Sequence, residues 1–154
     1  MEYQEIKGNL ITLATEGKFD VIAHGCNCFT TMGAGIALQM NQAFNALLHD
    51  ITYDLNVSKP VEKLGNIDWF KGTVSKYKSL TVINAYTQYA PGPNLDYEAL
   101  ILCMRKINNI FFNRYIGLPQ IGCGIAGGDW EKVKEIIKRE LTDCKVTIVI
   151  YDGN

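Results

Sequence analysis

The stretch Gly122-Cys123-Gly124-Ile125-Ala126-Gly127 lies between a strand-like run and a helix-like run, and the earlier stretch Gly33-Ala34-Gly35-Ile36-Ala37 has the same setting. Glycine lets the backbone approach a ligand closely because no Cβ stands in the way. The first turn of a helix has unpaired N–H groups and a partial positive charge, so it favours anions. One such turn is weak evidence. Two of them in one small chain predict a ligand with a diphosphate, held from two sides by backbone N–H groups.

The segments around these turns alternate between apolar, strand-like runs and amphipathic, helix-like runs. Residues 20–24 and 80–86 predict buried strands, and apolar residues at helical spacing predict a helix from residue 36 to 47. This alternation predicts an α/β sandwich with a largely parallel sheet, whose ligand binds beyond the carboxyl ends of the strands. The N-terminal half is predicted to contain an extended segment over residues 3–7 and 10–12 and a hairpin or two strands over residues 67–77 with a turn at Lys71-Gly72, while residues 51–65 stay ambiguous. The C-terminal half is predicted to contain a loop over 91–94 and helices over 96–112 and 129–141. Residues 115–121 are predicted to be strand-like and to lead into the second glycine turn, and residues 145–151 form a final strand.

Composition limits the classes of function that need to be considered. The chain has 154 residues, 47% of them hydrophobic, and a net charge of −1. This length fits one domain over residues 1–154 that folds without disulfides or a metal. The balanced charge lacks the basic footprint of a general nucleic-acid binder. Five cysteines, no targeting segment and no apolar run of membrane-spanning length predict a cytoplasmic protein with free thiols.

Two classes of nucleotide-binding protein are disfavoured by their sequence motifs. Residues 122–127 match G-x-G-x-x-G, but a dinucleotide fold needs an acidic residue about twenty positions later and a further βα unit. Asp152 stands too far along and no such unit follows it, so that fold is disfavoured. The phosphate-binding pattern G-x-x-x-x-G-K-[ST] is absent, which argues against nucleoside-triphosphate hydrolysis.

The cysteines give no metal site. Cys26-Asn27-Cys28 lacks the spacing of zinc ligands, and the chain has only His24 and His49 besides. We therefore predict no metal and no cofactor. A helix N-terminus would lower the pKa of the Cys123 thiol and make it reactive. The alternative, which the sequence favours, is a small buried residue that fills space.

Three polar residues near the glycine turns are candidates for catalysis, and each also has a structural interpretation. His24 ends a strand and either transfers a proton or hydrogen-bonds the loop that follows it. Asn27 has donors and an acceptor that can orient a sugar hydroxyl or a water. Asp129 fits the N-cap of a helix, or accepts a proton or a hydroxyl hydrogen bond. Tyr86 and Gln88 are predicted at the same edge of the sheet, where a tyrosine contacts a ligand or packs in the core.

Three segments of the chain form a combined pattern: Gly8-Asn9-Leu10-Ile11, then His24-Gly25-Cys26-Asn27-Cys28 with Met32-Gly33-Ala34-Gly35-Ile36-Ala37, and then residues 118–130, Leu-Pro-Gln-Ile-Gly-Cys-Gly-Ile-Ala-Gly-Gly-Asp-Trp. These segments resemble those of macrodomains, and the order of elements agrees over almost the whole chain. The resemblance is strongest to the branch that contains ADP-ribose 1″-phosphate phosphatases and related ADP-ribosyl-ester hydrolases.

This resemblance implies a three-layer α/β/α sandwich around a mixed, largely parallel six-stranded sheet, with ADP-ribose in a cleft across its crest. It places Asn9 and Leu10 by the adenine, the two glycine turns at the diphosphate and distal ribose, and His24 and Asn27 near the distal ribose. The predicted ligand-binding residues are Asn9, Leu10, Gly33, Ala34, Gly35, Ile36, Tyr86, Gln88, Gly122, Cys123, Gly124, Ile125 and Ala126.

The chain departs from the family at three positions. Many macrodomains have an aspartate where Asn9 stands, although an asparagine oxygen can also accept from the adenine amino group. Some ester hydrolases use a lysine in the loop after the fourth strand and an aspartate in the last glycine turn. Here that loop reads Asn84-Ala85-Tyr86-Thr87-Gln88, and Ala126 replaces the aspartate, so the lysine–aspartate mechanism is disfavoured.

The resulting prediction is hydrolysis of ADP-ribose 1″-phosphate to ADP-ribose and inorganic phosphate, with His24, Asn27 and Asp129 as the catalytic residues. One alternative is a non-catalytic module that binds ADP-ribose or ADP-ribosylated protein. Another is a hydrolase that removes ADP-ribose from macromolecular adducts. The expected partner is the small molecule, with no membrane or nucleic acid, and the chain is expected to be a monomer.

Overall fold

The computed structural model describes residues 2–46, 59–75 and 78–153. Its strands are β1 (Glu2–Gly8), β2 (Val21–Cys26), β3 (Ile67–Ser75), β4 (Lys78–Tyr86), β5 (Tyr115–Leu118) and β6 (Lys145–Tyr151). Its helices are α1 (Leu10–Thr15), α2 (Gly35–Phe44), α3 (Pro60–Lys63), α4 (Tyr97–Ile110) and α5 (Trp130–Glu140).

The six strands form one sheet in the order β1-β6-β5-β2-β4-β3. Every neighbouring pair is parallel except β3 and β4, which are antiparallel. The predicted mixed, largely parallel sheet is therefore confirmed. Because the five parallel strands point the same way, the loops that follow them meet at one edge of the sheet.

Helices cover both faces of the sheet, which gives the predicted three layers. The core on one face joins strand residues to Leu100 and Ile107 of α4 and to Val133 and Ile137 of α5. The core on the other face joins strand residues to α1 and α2 through Leu10, Ala14, Met40 and Phe44. Burial from both sides explains why the central strands read as nearly continuous apolar runs.

Two predicted elements are wrong in the structure. Residues 10–12 belong to helix α1 rather than to an extended segment, because the Oδ1 of Asn9 accepts from the N–H of Thr12 at 3.1 Å and caps the helix. Residues 67–75 form one strand that runs through Lys71-Gly72 without a turn, since its backbone pairs with β4 along that length. The predicted parts at Leu47, at His49, over residues 51–58 and at 76–77 lie outside the described residues.

Two further observations concern the cysteines and the length of the helices. All five cysteines are free thiols, as predicted. Within residues 2–46, 59–75 and 78–153, none of the helices combines the length and apolar character that a membrane crossing requires.

Candidate functional site

A cleft of about 610 Å³ lies across the carboxyl ends of the parallel strands. Both glycine turns line it, together with the residues that follow β1, β2, β4 and β5. The polar side chains in its lining are those of Asn9, Asn27, Thr31, Gln39, Thr87, Gln88, Gln120, Cys123 and Tyr151. Its volume falls in the range of ordinary small-molecule sites.

The first glycine turn leads directly into α2. Ala34 is extended and precedes the helix, no side chain caps this end, and Gly35 has a φ of +60°. The first-turn amides of a helix have no intrahelical acceptor. A Cβ added at Gly33 would meet no heavy atom within 4 Å. This turn therefore offers main-chain donors and open space to the cleft.

The second glycine turn closes on itself. Gly122 and Gly127 have φ values of +75° and +74°, and the N–H of Gly128 donates to the carbonyl of Gly122 at 2.8 Å. Among the residues that the structure describes, the N–H groups of Gly124, Ile125 and Ala126 donate to no protein acceptor. Helix α5 begins only at residue 130. The donors of this turn therefore belong to the loop, not to the helix N-terminus that the sequence suggested.

The two turns touch across the cleft. The Cδ1 of Ile125 lies 3.2 Å from the point where a Cβ on Gly35 would stand. The Ile125 side chain is nevertheless 57% exposed, and it lines the cleft. The structure thus brings the two turns together, with an apolar side chain bridging them.

No Asp, Glu, His, Lys or Arg is among the described residues that line the cleft. Burial raises the pKa of the Cys123 thiol to about 11, and the negative charge of Asp129 adds to this effect. The thiol is therefore neutral at physiological pH, which agrees with the space-filling interpretation. Attraction for an anion in this cleft comes from the backbone.

Asn27 lines the cleft at the end of β2, as predicted. Its Nδ2 donates to the carbonyl of Thr31 at 3.0 Å and contacts Thr31 Oγ1 at 2.8 Å. Its Oδ1 accepts from the N–H of Phe29 at 2.8 Å. The side chain therefore fixes the loop that forms one wall of the cleft.

The structure does not bring the His24 side chain to the cleft. The side chain is fully buried and does not line the cleft. Its Nε2 lies 2.7 Å from Asn84 Oδ1, and Asn84 Nδ2 donates to the carbonyl of Ala46 at 3.1 Å. Alternate residues of β2 face opposite sides of the sheet, and this alternation directs His24 towards the α2 layer instead of the strand end.

Asp129 also lies outside the cleft lining. It is exposed and caps α5, with Oδ1 accepting from the N–H of Glu131 at 3.0 Å. The helix-cap interpretation of this residue is confirmed. Its catalytic role stays a prediction that the cleft lining does not support.

Of Tyr86 and Gln88, both predicted at this edge of the sheet, only Gln88 lines the cleft. Its Nε2 donates to the carbonyls of Ala90 at 2.7 Å and Gly92 at 3.0 Å. Tyr86, the last residue of β4, is fully buried and donates its hydroxyl to Asp68 Oδ2 at 2.5 Å, so the structure does not bring it to the cleft. The antiparallel pairing of β3 with β4 brings Asp68 to that position.

The predicted adenine-side residues, Asn9 and Leu10, both line the cleft. The Oδ1 of Asn9 is engaged as the cap of α1. Sequence reasoning missed Thr87, Gln120 and Tyr151. Each stands at or just after the carboxyl end of a parallel strand, which is the one signal that points to them.

Comparisons with known proteins agree with this architecture. The Macro domain family model matches residues 23–137. An uncharacterized 17.5 kDa protein from the tk-vs intergenic region of Enterobacteria phage T4 is 38% identical over 151 residues, which cover 96% of this chain and 94% of that protein.

Several solved structures share the fold at low sequence identity. The macrodomain of Thermus aquaticus DarG has a TM-score of 0.69 at 22% identity, covering 98% of each chain. Thermosipho africanus DarTG in complex with ADP-ribose has a TM-score of 0.77 at 15% identity, covering 98% of this chain and 42% of that one. An Oceanobacillus iheyensis macrodomain with ADP has a TM-score of 0.64 at 17% identity, covering 97% of this chain and 83% of that one.

Proposed function

Because the chain belongs to the Macro domain family, we propose that its cleft binds ADP-ribose, with the diphosphate between the two glycine turns. The observation that carries this proposal is the pair of main-chain donor sets that meet where Ile125 contacts Gly35. Similar structures solved with ADP-ribose and with ADP support the choice of ligand.

Main-chain donors alone are sufficient for useful affinity. A hydrogen bond from an amide to a charged oxygen contributes about 1.5–3 kcal/mol. Four or five such bonds, after the cost of association, give a binding free energy of about −8 kcal/mol, which corresponds to a Kd in the micromolar range. The absence of carboxylates from the described lining helps, because a carboxylate there would repel the phosphates.

Calorimetry with ADP-ribose tests the proposal. The matched pair is Gly124→Glu, which places a carboxylate in open cleft space, and Thr142→Glu, which adds the same charge on an exposed turn before β6, at the opposite edge of the sheet. We expect micromolar binding for the unmodified chain and for Thr142→Glu, and at least 100-fold weaker binding for Gly124→Glu. If millimolar ADP-ribose produced no heat of binding and no rise in Tm, the proposal would be overturned.

A second candidate is hydrolysis of ADP-ribose 1″-phosphate, in which water adds to phosphorus and the bond from phosphorus to the ribose oxygen breaks. Asn27 favours it, because this residue lines the cleft at the position that resembles the distal-ribose side of the phosphatases. With His24 and Asp129 outside the lining, the chain would contribute positioning rather than a proton-transfer group.

Phosphate release separates the two candidates. If the protein is a phosphatase, Asn27→Ala lowers the release rate at least tenfold while ADP-ribose affinity falls much less. Binding without phosphate release by the unmodified chain leaves the non-catalytic function. Release of free ADP-ribose from modified protein or modified DNA, assayed in parallel, would instead favour the adduct hydrolase. The lack of a lysine in residues 84–88 and the presence of Ala126 disfavour that function.

A further inference from the structure

The cleft crosses the strand ends in the order of the sheet, so its two ends can be told apart. In the order β1-β6-β5-β2-β4, the glycine turns follow β5 and β2 and occupy the middle. Asn9 and Leu10 follow β1 and Tyr151 ends β6, so these residues form one end. Gln88 follows β4 at the other end. A diphosphate between the turns therefore puts one half of the ligand at each end.

The two ends differ in chemistry. The β1 end has the apolar side chains of Leu10 and Val149 and the ring of Tyr151, which is 62% exposed. The side of β2 and β4 has the amides of Asn27 and Gln88. A flat nucleobase matches an apolar and aromatic surface, whereas the hydroxyls of a ribose match side-chain amides. The base of the ligand therefore belongs at the β1 end.

Asn9 lies at this base end of the cleft. It follows Gly8, which pairs with Tyr151 between β1 and β6, and it lines the cleft and is partly exposed. Its Oδ1 accepts from the N–H of Thr12 at 3.1 Å. Because that N–H is a donor, turning the amide round would set two donors against each other and remove the helix cap. The cap therefore fixes which way the amide points.

The amide nitrogen is the atom that this side chain has left for a ligand. Nδ2 of Asn9 has no acceptor among the described residues, and the atom is not buried. By contrast, Asn94 Nδ2 donates to the carbonyl of Pro91 at 2.7 Å. An amide N–H2 group donates and does not accept. At Asn9 the cleft therefore offers a donor to the base.

We propose that Asn9 donates to an acceptor of the base, a ring nitrogen or a carbonyl oxygen, and that the cleft does not select the C6 amino group of adenine. This inference rests on the proposed binding of ADP-ribose. A C6 amino group is a donor and needs an acceptor, and no Asp or Glu is among the described residues of the lining. The ligand class is then the purine nucleoside diphosphate-riboses, not the adenine compound alone.

The experiment is calorimetry with ADP-ribose and with its analogue in which hydrogen replaces the C6 amino group, so that the ring nitrogens stay unchanged. The unmodified chain should bind the two ligands with affinities within about twofold. Asn9→Asp keeps the cap but offers a carboxylate oxygen in place of the N–H2 group. This variant should bind ADP-ribose at least about fivefold tighter than the analogue. The ratio is the readout, because the carboxylate repels the phosphates of both ligands equally.

A second substitution separates a contact with the base from the capping of α1. Asn9→Ser also keeps the cap but removes Nδ2, so it should bind both ligands about threefold to tenfold more weakly. The matched control is Asn113→Asp, which adds the same charge on an exposed residue before β5, at the opposite edge of the sheet. Both affinities of this control should equal those of the unmodified chain.

A residue that only caps α1 would give the same affinities with Asn, Asp or Ser, because all three cap a helix. Unchanged affinities in Asn9→Ser, or an unchanged ratio in Asn9→Asp, would therefore overturn the inference while leaving the proposed function intact. Preference of the unmodified chain for ADP-ribose over the analogue by more than about twofold would overturn it as well. No ADP-ribose binding by the unmodified chain would be a failure of the proposed function itself.

Discussion

The two glycine turns look alike in sequence but obtain their donors in different ways. The first turn opens α2 and uses the unpaired amides of a helix N-terminus. The second is a closed loop whose free N–H groups are held by the bond from Gly128 to Gly122. The comparison shows that one sequence pattern can create an anion site through a helix end or through a loop.

The turns also differ in how tightly they are packed. A Cβ at Gly33 would meet open space, but a Cβ at Gly122 would stand 2.7 Å from Leu95 Cδ1. At Gly128 the corresponding distances are 2.4 Å to Leu95 Cδ2 and 2.6 Å to the carbonyl oxygen of Gly122. The second turn therefore depends on Gly122 and on the adjacent Gly128 for its shape, whereas Gly33 and Gly124 leave open space in the cleft.

The largest expected effect comes from Gly128→Ala. The new methyl group overlaps a backbone oxygen that cannot move without opening the loop, so we expect a loss of about 3 kcal/mol in unfolding free energy and a fall of several degrees in Tm. Gly33→Ala is the control and should stay within about 0.5 kcal/mol. Thermal unfolding checks both, and equal Tm values would remove the packing difference between the turns.

A smaller effect is expected where the turns meet. Gly35→Ala places a Cβ 3.2 Å from Ile125 Cδ1 and forces alanine to adopt a φ of +60°, which costs about 1–2 kcal/mol. We expect ADP-ribose affinity to fall about tenfold by calorimetry.

Ile125→Ala added to Gly35→Ala should restore only part of this affinity, because it relieves the contact but not the backbone strain. By itself, Ile125→Ala should change affinity less than threefold. Full restoration in the double variant would show that strain at position 35 is unimportant.

The smallest expected effect is that of pH on binding. With the pKa of Cys123 raised from 9.0 to about 11 by burial, the thiol stays neutral between pH 6 and 9, and ADP-ribose affinity should be constant over that range. The same pKa shift makes the stability of the folded state depend on pH. Its contribution to the free energy of unfolding is complete below the unfolded pKa of about 9 and is lost as pH rises through about 11. Affinity should begin to fall near pH 10 as a thiolate forms beside the phosphates, and Cys123→Ala should abolish that fall.

A change in affinity between pH 6 and 7.5 would contradict this prediction. It would show that something other than the Cys123 thiol controls ADP-ribose binding over that range.

The sheet and the main-chain part of the cleft were predictable from the sequence, because periodicity and glycine placement depend on local rules. The burial of two predicted site residues, His24 and Tyr86, was not predictable. His24 pairs with Asn84 across β2 and β4, and Tyr86 reaches Asp68 across β4 and β3. Both contacts depend on strand register, which residue patterns do not reveal.

Asp129 shows the opposite case. Its position before residues 130–140 predicted a helix cap, and the structure confirms that local role. Thr87, Gln120 and Tyr151 carry no motif, and their place in the cleft lining depends on how the ends of the parallel strands meet in the folded sheet.

Main-chain donors in the second turn do not depend on the side chains of the residues that carry them. Every residue except proline has an amide N–H, so replacing Ile125 or Ala126 by any other residue keeps the main-chain donors that we propose for the phosphates. The side chains at the entrance can therefore change while the proposed anion site is kept. The glycines that set the path of the loop are the positions where that freedom ends.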